Sequence, residues 1–283
     1  MRWNQGRRSG NVEDRRSSRI PGGAAGGLGG IGLILILLLV IALGIDPGQV
    51  LQGTEPMAQQ SQLSEDQQNQ LADQVSLVLG STEITWSEIF RDQLGQTYTE
   101  PKLVLFTGYV ESACGQAGAA VGPFYCPGDQ KVYLDLDFFY DLQERYGAPG
   151  DFAQAYVIAH EIGHHVQNQV GTLQYVDAAR RQVSEVEANQ LSVALELQAD
   201  CYAGVWANRA ARKDLILEQG DVEEGLNAAS AIGDDRLQQQ SQGYVVPDTF
   251  THGTSAQRVA WFRKGMETGN VTVCDSSLLP AIT

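Results

Sequence analysis

Basic residues are scarce in this 283-residue chain, with 19 Lys and Arg against 34 Asp and Glu, a formal net charge of -15. Most of the positive charge is crowded at one end. Residues 1–45 hold six arginines (Arg2, Arg7, Arg8, Arg15, Arg16, Arg19) against Glu13 and Asp14, so the remainder carries 13 basic and 32 acidic residues. Such a domain repels a phosphate backbone, and no basic stripe with interleaved aromatics runs through it, so nucleic acid is not a partner. Histidine is scarcer still: His160, His164, His165 and His252 are the whole complement, three of them within six residues. No internal repeat is visible. With 43% apolar and 19% charged residues the chain suits an ordinary core, and its length suits one sizeable domain plus a smaller attachment.

Long hydrophobic runs are also lacking, with one exception. Residues 24–45 are uncharged for 22 positions and end in GLILILLLVIALGI, and about 20 residues carry a helix across a bilayer. A buried core helix would seldom be aliphatic on every face or follow a leader rich in Arg and Gly, so the run reads as a membrane anchor. Ala42-Leu43-Gly44 loosely resembles a signal cleavage site, but the run is longer than a signal core, which favours an uncleaved anchor. The arginine flank then stays in the cytoplasm and the rest lies outside. Cysteine usage agrees: Cys114, Cys126, Cys201 and Cys274 all follow the anchor, and two disulfides are expected in an oxidising compartment. Three pairings are open. Cys114 and Cys126 flank a short loop rich in Gly and Pro, which points to that pair and leaves Cys201 with Cys274. The expected division is a basic cytoplasmic leader (1–23), a transmembrane anchor (24–45), a polar stalk (46–72) and a catalytic domain (73–283).

Within that domain, KLVLFTGYV from Lys102 and KVYLDL from Lys131 read as strands, separated by a loop with Gly115, Gly118, Gly122, Pro123 and Pro127. Asp137 to Tyr146 reads as a short helix. A long helix is expected from Asp151, as N-cap with Gln154 in the capping-box position, to a stop at Gly171. Another is expected over Ser184–Arg212, and later ones around Val222–Gln240 and Ser255–Glu267. The fold class is therefore α+β, helix-dominated with a small sheet.

The first long helix carries His160-Glu161-Ile162-Gly163-His164. Positions i and i+4 share a helix face about 6 Å apart along the axis, so both imidazoles can reach one zinc ion. Glu161 adjoins the first ligand and can take a proton from a water in the open metal position. No histidine follows at the spacing of the longer HExxHxxGxxH pattern, so the third ligand comes from elsewhere. The candidate is Glu196, in Glu196-Leu197-Gln198-Ala199-Asp200, because an acid pair in so apolar and small-sided a helix needs a partner. Asp200, one turn on, is placed to hold the distal nitrogen of a ligand imidazole. Glu185 and Glu187 compete for Glu196's role from a more polar stretch. His165 points about 100° away from His164 and reads as a structural neighbour. His252, in a turn before a helix, is a candidate donor to a developing oxyanion, with Tyr244 a weaker one. Arg258 reads as the partner of a buried carboxylate.

The Arg-rich leader with Asn11-Val12-Glu13-Asp14-Arg15-Arg16, the glycine run into the apolar segment, HEIGHH at His160–His165 and ELQAD at Glu196–Asp200 together resemble the bacterial neutral zinc metallopeptidase family. The likeness runs over nearly the whole chain and is weakest in the stalk. HExxH followed by ExxxD, His252 and Arg258 is more distantly similar to gluzincin membrane proteases that include the CAAX-prenyl endopeptidases. In those the Glu of ExxxD binds zinc, which matches Glu196. Gly253 stands where they have Pro, and this chain has one apolar span where they have several. The resemblance implies a zincin-like hydrolase at the bacterial inner membrane that acts on a peptide or protein substrate.

The expected chemistry is hydrolysis of a peptide bond by zinc-bound water, with Glu161 as base and then acid. Two other readings remain open. Deformylases combine HExxH with an upstream Cys ligand, which here would be Cys114. A non-enzymatic anchored module would use zinc only to fasten two helices, though such sites normally have four protein ligands and no base.

Overall fold

Three helices begin where a hydroxyl side chain satisfies the first turn's free N–H groups. Ser64 opens α1 (Glu65–Ile89), with Gln67 reaching back to the Ser64 backbone. Ser184 does the same with Glu187 for a later helix, and Thr254 with Gln257 for the last. In this computed structural model residues 1–2, 6–16, 61–118, 121–214 and 217–282 are described. The expected anchor, 24–45, and stalk residues 46–60 lie outside them. Among the described residues no helix is long and apolar enough to cross a membrane.

A four-stranded sheet is formed by β1 (Val12–Asp14), β2 (Lys102–Phe106), β5 (Phe124–Cys126) and β6 (Lys131–Asp135), in the order β1-β2-β6-β5. β1, β2 and β6 are parallel, with Val12 beside Leu103 and Leu103 beside Val132; β5 is antiparallel to β6. β3 (Tyr109–Ser112) and β4 (Gly115–Gly118) form a separate antiparallel pair. The expected strand from Lys102 to Val110 thus breaks in two. At the break the Gly108 N–H leaves the ladder and donates to the Asp135 carboxylate at 2.7 Å. Residues of the expected leader supply β1, and the last residues of the expected stalk belong to α1.

Among the described residues the further α-helices are α2 (Asp137–Glu144), α3 (Asp151–Gln169), α4 (Thr172–Arg180), α5 (Glu185–Arg209), α6 (Asp221–Ala231), α7 (Asp234–Gln242) and α8 (Ser255–Thr268). The single helix expected over 222–240 is two, broken at Ile232-Gly233. Asp151 is the first residue of α3 rather than its cap, which is Gly150. Its carboxylate instead lies 2.7 Å from the Met1 amino group. α3 is buried along nearly its whole length, its Phe152 stacked on Trp206 of α5 and Tyr156 edge-on to Phe262 of α8.

Two close helix crossings fix where the polar residues meet. At α5 against α8, a Cβ on Gly204 would lie 2.0 Å from the Phe262 carbonyl oxygen, and one on Gly265 would lie 2.0 Å from that of Cys201. Only glycine allows that approach. At α3 against α5, Gly163 faces Ala199, where an added Cβ would sit 3.0 Å from the Ala199 backbone. Gly163 lies between the two motif histidines, so this crossing brings them against Glu196. The disulfides Cys114–Cys126 and Cys201–Cys274 are both formed, and no cysteine is free.

Candidate metal centre

His160 and His164 project from α3 and Glu196 from α5, with one donor atom from each within 4.8 Å of the others. His160 Nε2 is 3.1 Å from one Glu196 oxygen, and His164 Nε2 is 3.5 Å from the other. The opposite nitrogens are both anchored. His160 Nδ1 meets Asp200 at 2.8 Å and His164 Nδ1 meets Gln167 Oε1 at 2.9 Å. Gln167 is itself fixed, donating to the Leu195 carbonyl at 2.7 Å and to Gln198 at 3.0 Å. Both rings therefore turn Nε2 toward a common point.

Asp200 is fully buried and accepts from Tyr156 at 2.5 Å and from Arg258 at 2.8 and 2.9 Å. Burial works against charge on His160, yet the Asp200 and Glu196 carboxylates outweigh it and raise its pKa to about 9. Burial likewise opposes ionisation of Glu196, and the two imidazoles overcome that and hold its pKa well below the usual range. A partly buried carboxylate facing two imidazole Nε2 atoms is a donor set that calls for a divalent cation, and two imidazoles with one carboxylate match zinc. The residues present fit that ion.

Glu161 follows His160 and lines the same cavity, and its carboxylate accepts no hydrogen bond from any described residue. That cavity, of about 520 Å³, also takes in His164, Glu196 and His252. The His252 loop is held by Asp234, whose carboxylate accepts the backbone N–H groups of Thr251, His252 and Gly253 at 2.8, 2.6 and 3.0 Å. Asp234 also lies 3.2 Å from His252 Nδ1, and this bond raises the imidazole's pKa against the opposing effect of burial. Tyr244 is exposed and does not line this cavity.

His165 is fully buried away from this point, against Tyr125 Oη at 3.0 Å and the Thr99 carbonyl at 2.7 Å. Burial lowers its pKa to about 4 despite the Thr99 bond, so it is a neutral packing residue. Arg258 pairs with Asp200, as its sequence position suggests. Cys114 is tied to Cys126 and is no member of the donor set, which removes the ligand a deformylase-type site would need. Glu185 and Glu187 lie at the solvent-exposed start of α5, Glu187 as capping partner of Ser184. Sequence reasoning missed Gln167, Tyr156 and Asp234. Gln167 had a signal, since it is one turn beyond His164 on the same face.

A helix pair that turns two imidazoles and a carboxylate to one point, beside a second glutamate lining the same cleft, defines an α+β protein with a metal-hydrolase type of centre. Residues 1–277 match the family described as "Putative neutral zinc metallopeptidase", and the chain belongs to it. It is 46% identical to the uncharacterised protein YpfJ of Escherichia coli strain K12 over 288 residues, 98% of each chain. It is also 46% identical to the uncharacterised protein Rv2575 of Mycobacterium tuberculosis over 189 residues, 63% of each chain. No solved structure matches it.

Proposed function

We propose that this zinc-peptidase family member hydrolyses internal bonds of extended peptides, with the ion held by His160, His164 and Glu196, while 24–45 attaches the protein to a membrane. The observation that carries the reading is the convergence of the two Nε2 atoms on the Glu196 carboxylate with both Nδ1 atoms already engaged. Zinc, when bound, supplies Lewis acidity toward a carbonyl and lowers the pKa of a coordinated water. Glu161, which lines the cleft beside His160, takes the proton from the attacking water and returns it to the leaving amine. Asp200 fixes the His160 ring and Gln167 fixes the His164 ring, so neither must reorganise as charge develops. His252, held by Asp234, faces the cavity and in its protonated form donates to the oxyanion.

Two features bear on substrate. Among the described residues β5 pairs with β6 on one side only, and Phe124 and Tyr125 of β5 line the cavity, so its other edge can take an extended backbone. Away from the polar centre the wall is apolar, formed by Phe124, Phe138, Val157, Leu195, Ile232 and Leu237. Its occupant is a bulky uncharged side chain.

Metal analysis of the purified full chain tests the ligand set. One zinc per wild-type chain, kept in Glu161→Gln and Cys114→Ser and lost in Glu196→Ala, is expected. Fluorogenic peptides carrying Leu or Phe should then be cleaved by wild type and not by Glu161→Gln. Zinc retained in Glu196→Ala would sink the ligand assignment. Full cleavage by Glu161→Gln would sink the mechanism, and absence of cleavage with zinc bound would favour a fastening role for the ion.

A further inference from the structure

The Arg-rich residues ahead of the apolar run are part of the fold that carries the metal centre. β1 joins the sheet through Leu103 N–H to the Asn11 carbonyl at 3.0 Å and Arg15 N–H to that of Leu105 at 2.8 Å. Just upstream, Ser9 N–H donates to the Ser76 carbonyl of α1 at 2.9 Å. Gly80 of α1 exists to admit this segment, since a Cβ there would lie 2.2 Å from the Arg7 carbonyl oxygen.

The domain also needs these residues electrostatically. Glu83, in the middle of α1, is 1% exposed, and its carboxylate accepts from Arg7, Ser9 and Asn11 at 2.5, 2.5 and 2.8 Å. Every one of these donors comes from the leader. Without them a buried charge would stand in the core unpaired. Glu13 of β1 returns the dependence by pairing with Lys102 and Lys131, each at 3.1 Å.

Residues 6–16 and the domain from residue 61 onward are therefore one folded body, whereas a single crossing by 24–45 would put them on opposite faces of the bilayer. Strands hydrogen-bonded to each other cannot lie in two aqueous phases separated by about 30 Å of hydrocarbon. Three of the arginines that favour a cytoplasmic leader have carboxylate partners in the folded protein: Arg8 pairs with Asp73, Arg15 with Glu13 and Arg16 with Asp14, all at 2.6 Å. The two disulfides belong in an oxidising compartment. We propose that residues 1–16 lie on the same side of the membrane as the peptidase domain, the oxidising outer side, so that the chain does not cross the bilayer once between them. This rests on membrane attachment through 24–45.

Single-cysteine reporters in the full chain decide it, because the native cysteines are all disulfide-bonded and silent to maleimide. Gly10→Cys is exposed with open space around the new Cβ, and Gln240→Cys sits on the exposed face of α7. Each is expressed in a bacterial host, made into right-side-out spheroplasts and treated with a membrane-impermeant maleimide, with a cytoplasmic cysteine protein as control for intactness. Both positions should be labelled in intact spheroplasts to within about twofold of the detergent-treated level. Arg2→Cys gives an independent leader position should Gly10→Cys accumulate poorly. Labelling of Gln240→Cys with protection of the leader cysteines until detergent is added would overturn the inference. Protection of both would overturn the outer placement. The attachment is read separately, from retention in carbonate-washed membranes, and its loss would overturn the premise rather than the shared side.

Discussion

Removing the Arg258 charge should destabilise the protein strongly, and removing the Asp200 charge as well should restore much of the loss without restoring the metal centre. Asp200 is 0% exposed and Arg258 is 2% exposed. Of the four hydrogen bonds that reach the Asp200 carboxylate, Arg258 donates two, and Tyr156 and His160 account for the others. Arg258→Met keeps the length of the side chain but removes the guanidinium charge and two of the four bonds to the carboxylate. Breaking a buried pair from one side costs about 3–5 kcal/mol. In a domain of this size each kcal/mol moves Tm by about 2–4 °C, so a fall of roughly 10 °C is expected. Replacing both members of a buried pair by apolar residues is often close to neutral. Arg258→Met with Asp200→Leu should therefore recover most of the Tm.

The same double variant leaves His160 Nδ1 without its acceptor, and loss of such a contact lowers metal affinity by about 10–100-fold. Stability and metal binding should separate. Scanning calorimetry in excess chelator reads the first, and competition for zinc against a chromophoric chelator reads the second. A Tm drop under about 2 °C in Arg258→Met would refute the role given to the pair. A double variant as unstable as the single, or one with wild-type zinc affinity, would refute the division of labour between Arg258 and Asp200.

Gln167→Leu should weaken zinc binding by about 10–100-fold with little change in chelator-treated Tm, measured by the same titration. His252 has its pKa raised by Asp234, so the cationic form persists above the ordinary histidine value and is lost as pH rises through the raised one. The alkaline limb of kcat/KM should accordingly shift to lower pH in Asp234→Asn, and an unmoved limb would exclude His252 as the donor. Burial would raise the pKa of Glu13, but its bonds from Arg15, Lys131 and Lys102 bring it down to about 2. The contribution of a depressed carboxylate is complete above its unfolded pKa, about 4.3, and is lost as pH falls toward 2. Backbone amides of residues 11–15 should therefore lose hydrogen-exchange protection, after correction for intrinsic rates, earlier in an acid titration than those of α3. The Cys201–Cys274 bridge spans 73 residues and Cys114–Cys126 spans 12. Paired Ala replacements should cost about 4 and about 3 kcal/mol respectively by loop entropy, and urea unfolding in chelator checks that order.

What was legible in the sequence is what helical periodicity and local chemistry encode. His160 and His164 lie four residues apart on one helix, and Glu196 and Asp200 lie four apart on another, so each pair could be read separately. Their meeting was inferred from the cost of burying acids, and Gly163 against Ala199 is the contact that achieves it. The Asp200–Arg258 pair was visible only as an unassigned partner, because 58 residues separate them and no period links them. Asp234 was not visible at all: its work is done on backbone N–H groups, which leave no residue pattern. The division of the chain into leader, anchor, stalk and domain shows where linear reading runs out. A run of arginines before an apolar segment carries a strong topological expectation from composition alone. The parallel pairing of Val12–Asp14 with Leu103–Leu105 spans some 90 residues and depends on long-range register. One local clue was Glu83, a carboxylate within the largely apolar second half of α1, whose burial there requires hydrogen-bond partners. That anomaly required a cationic or donor-rich segment from elsewhere in the chain, and in the fold Arg7, Ser9 and Asn11 supply it.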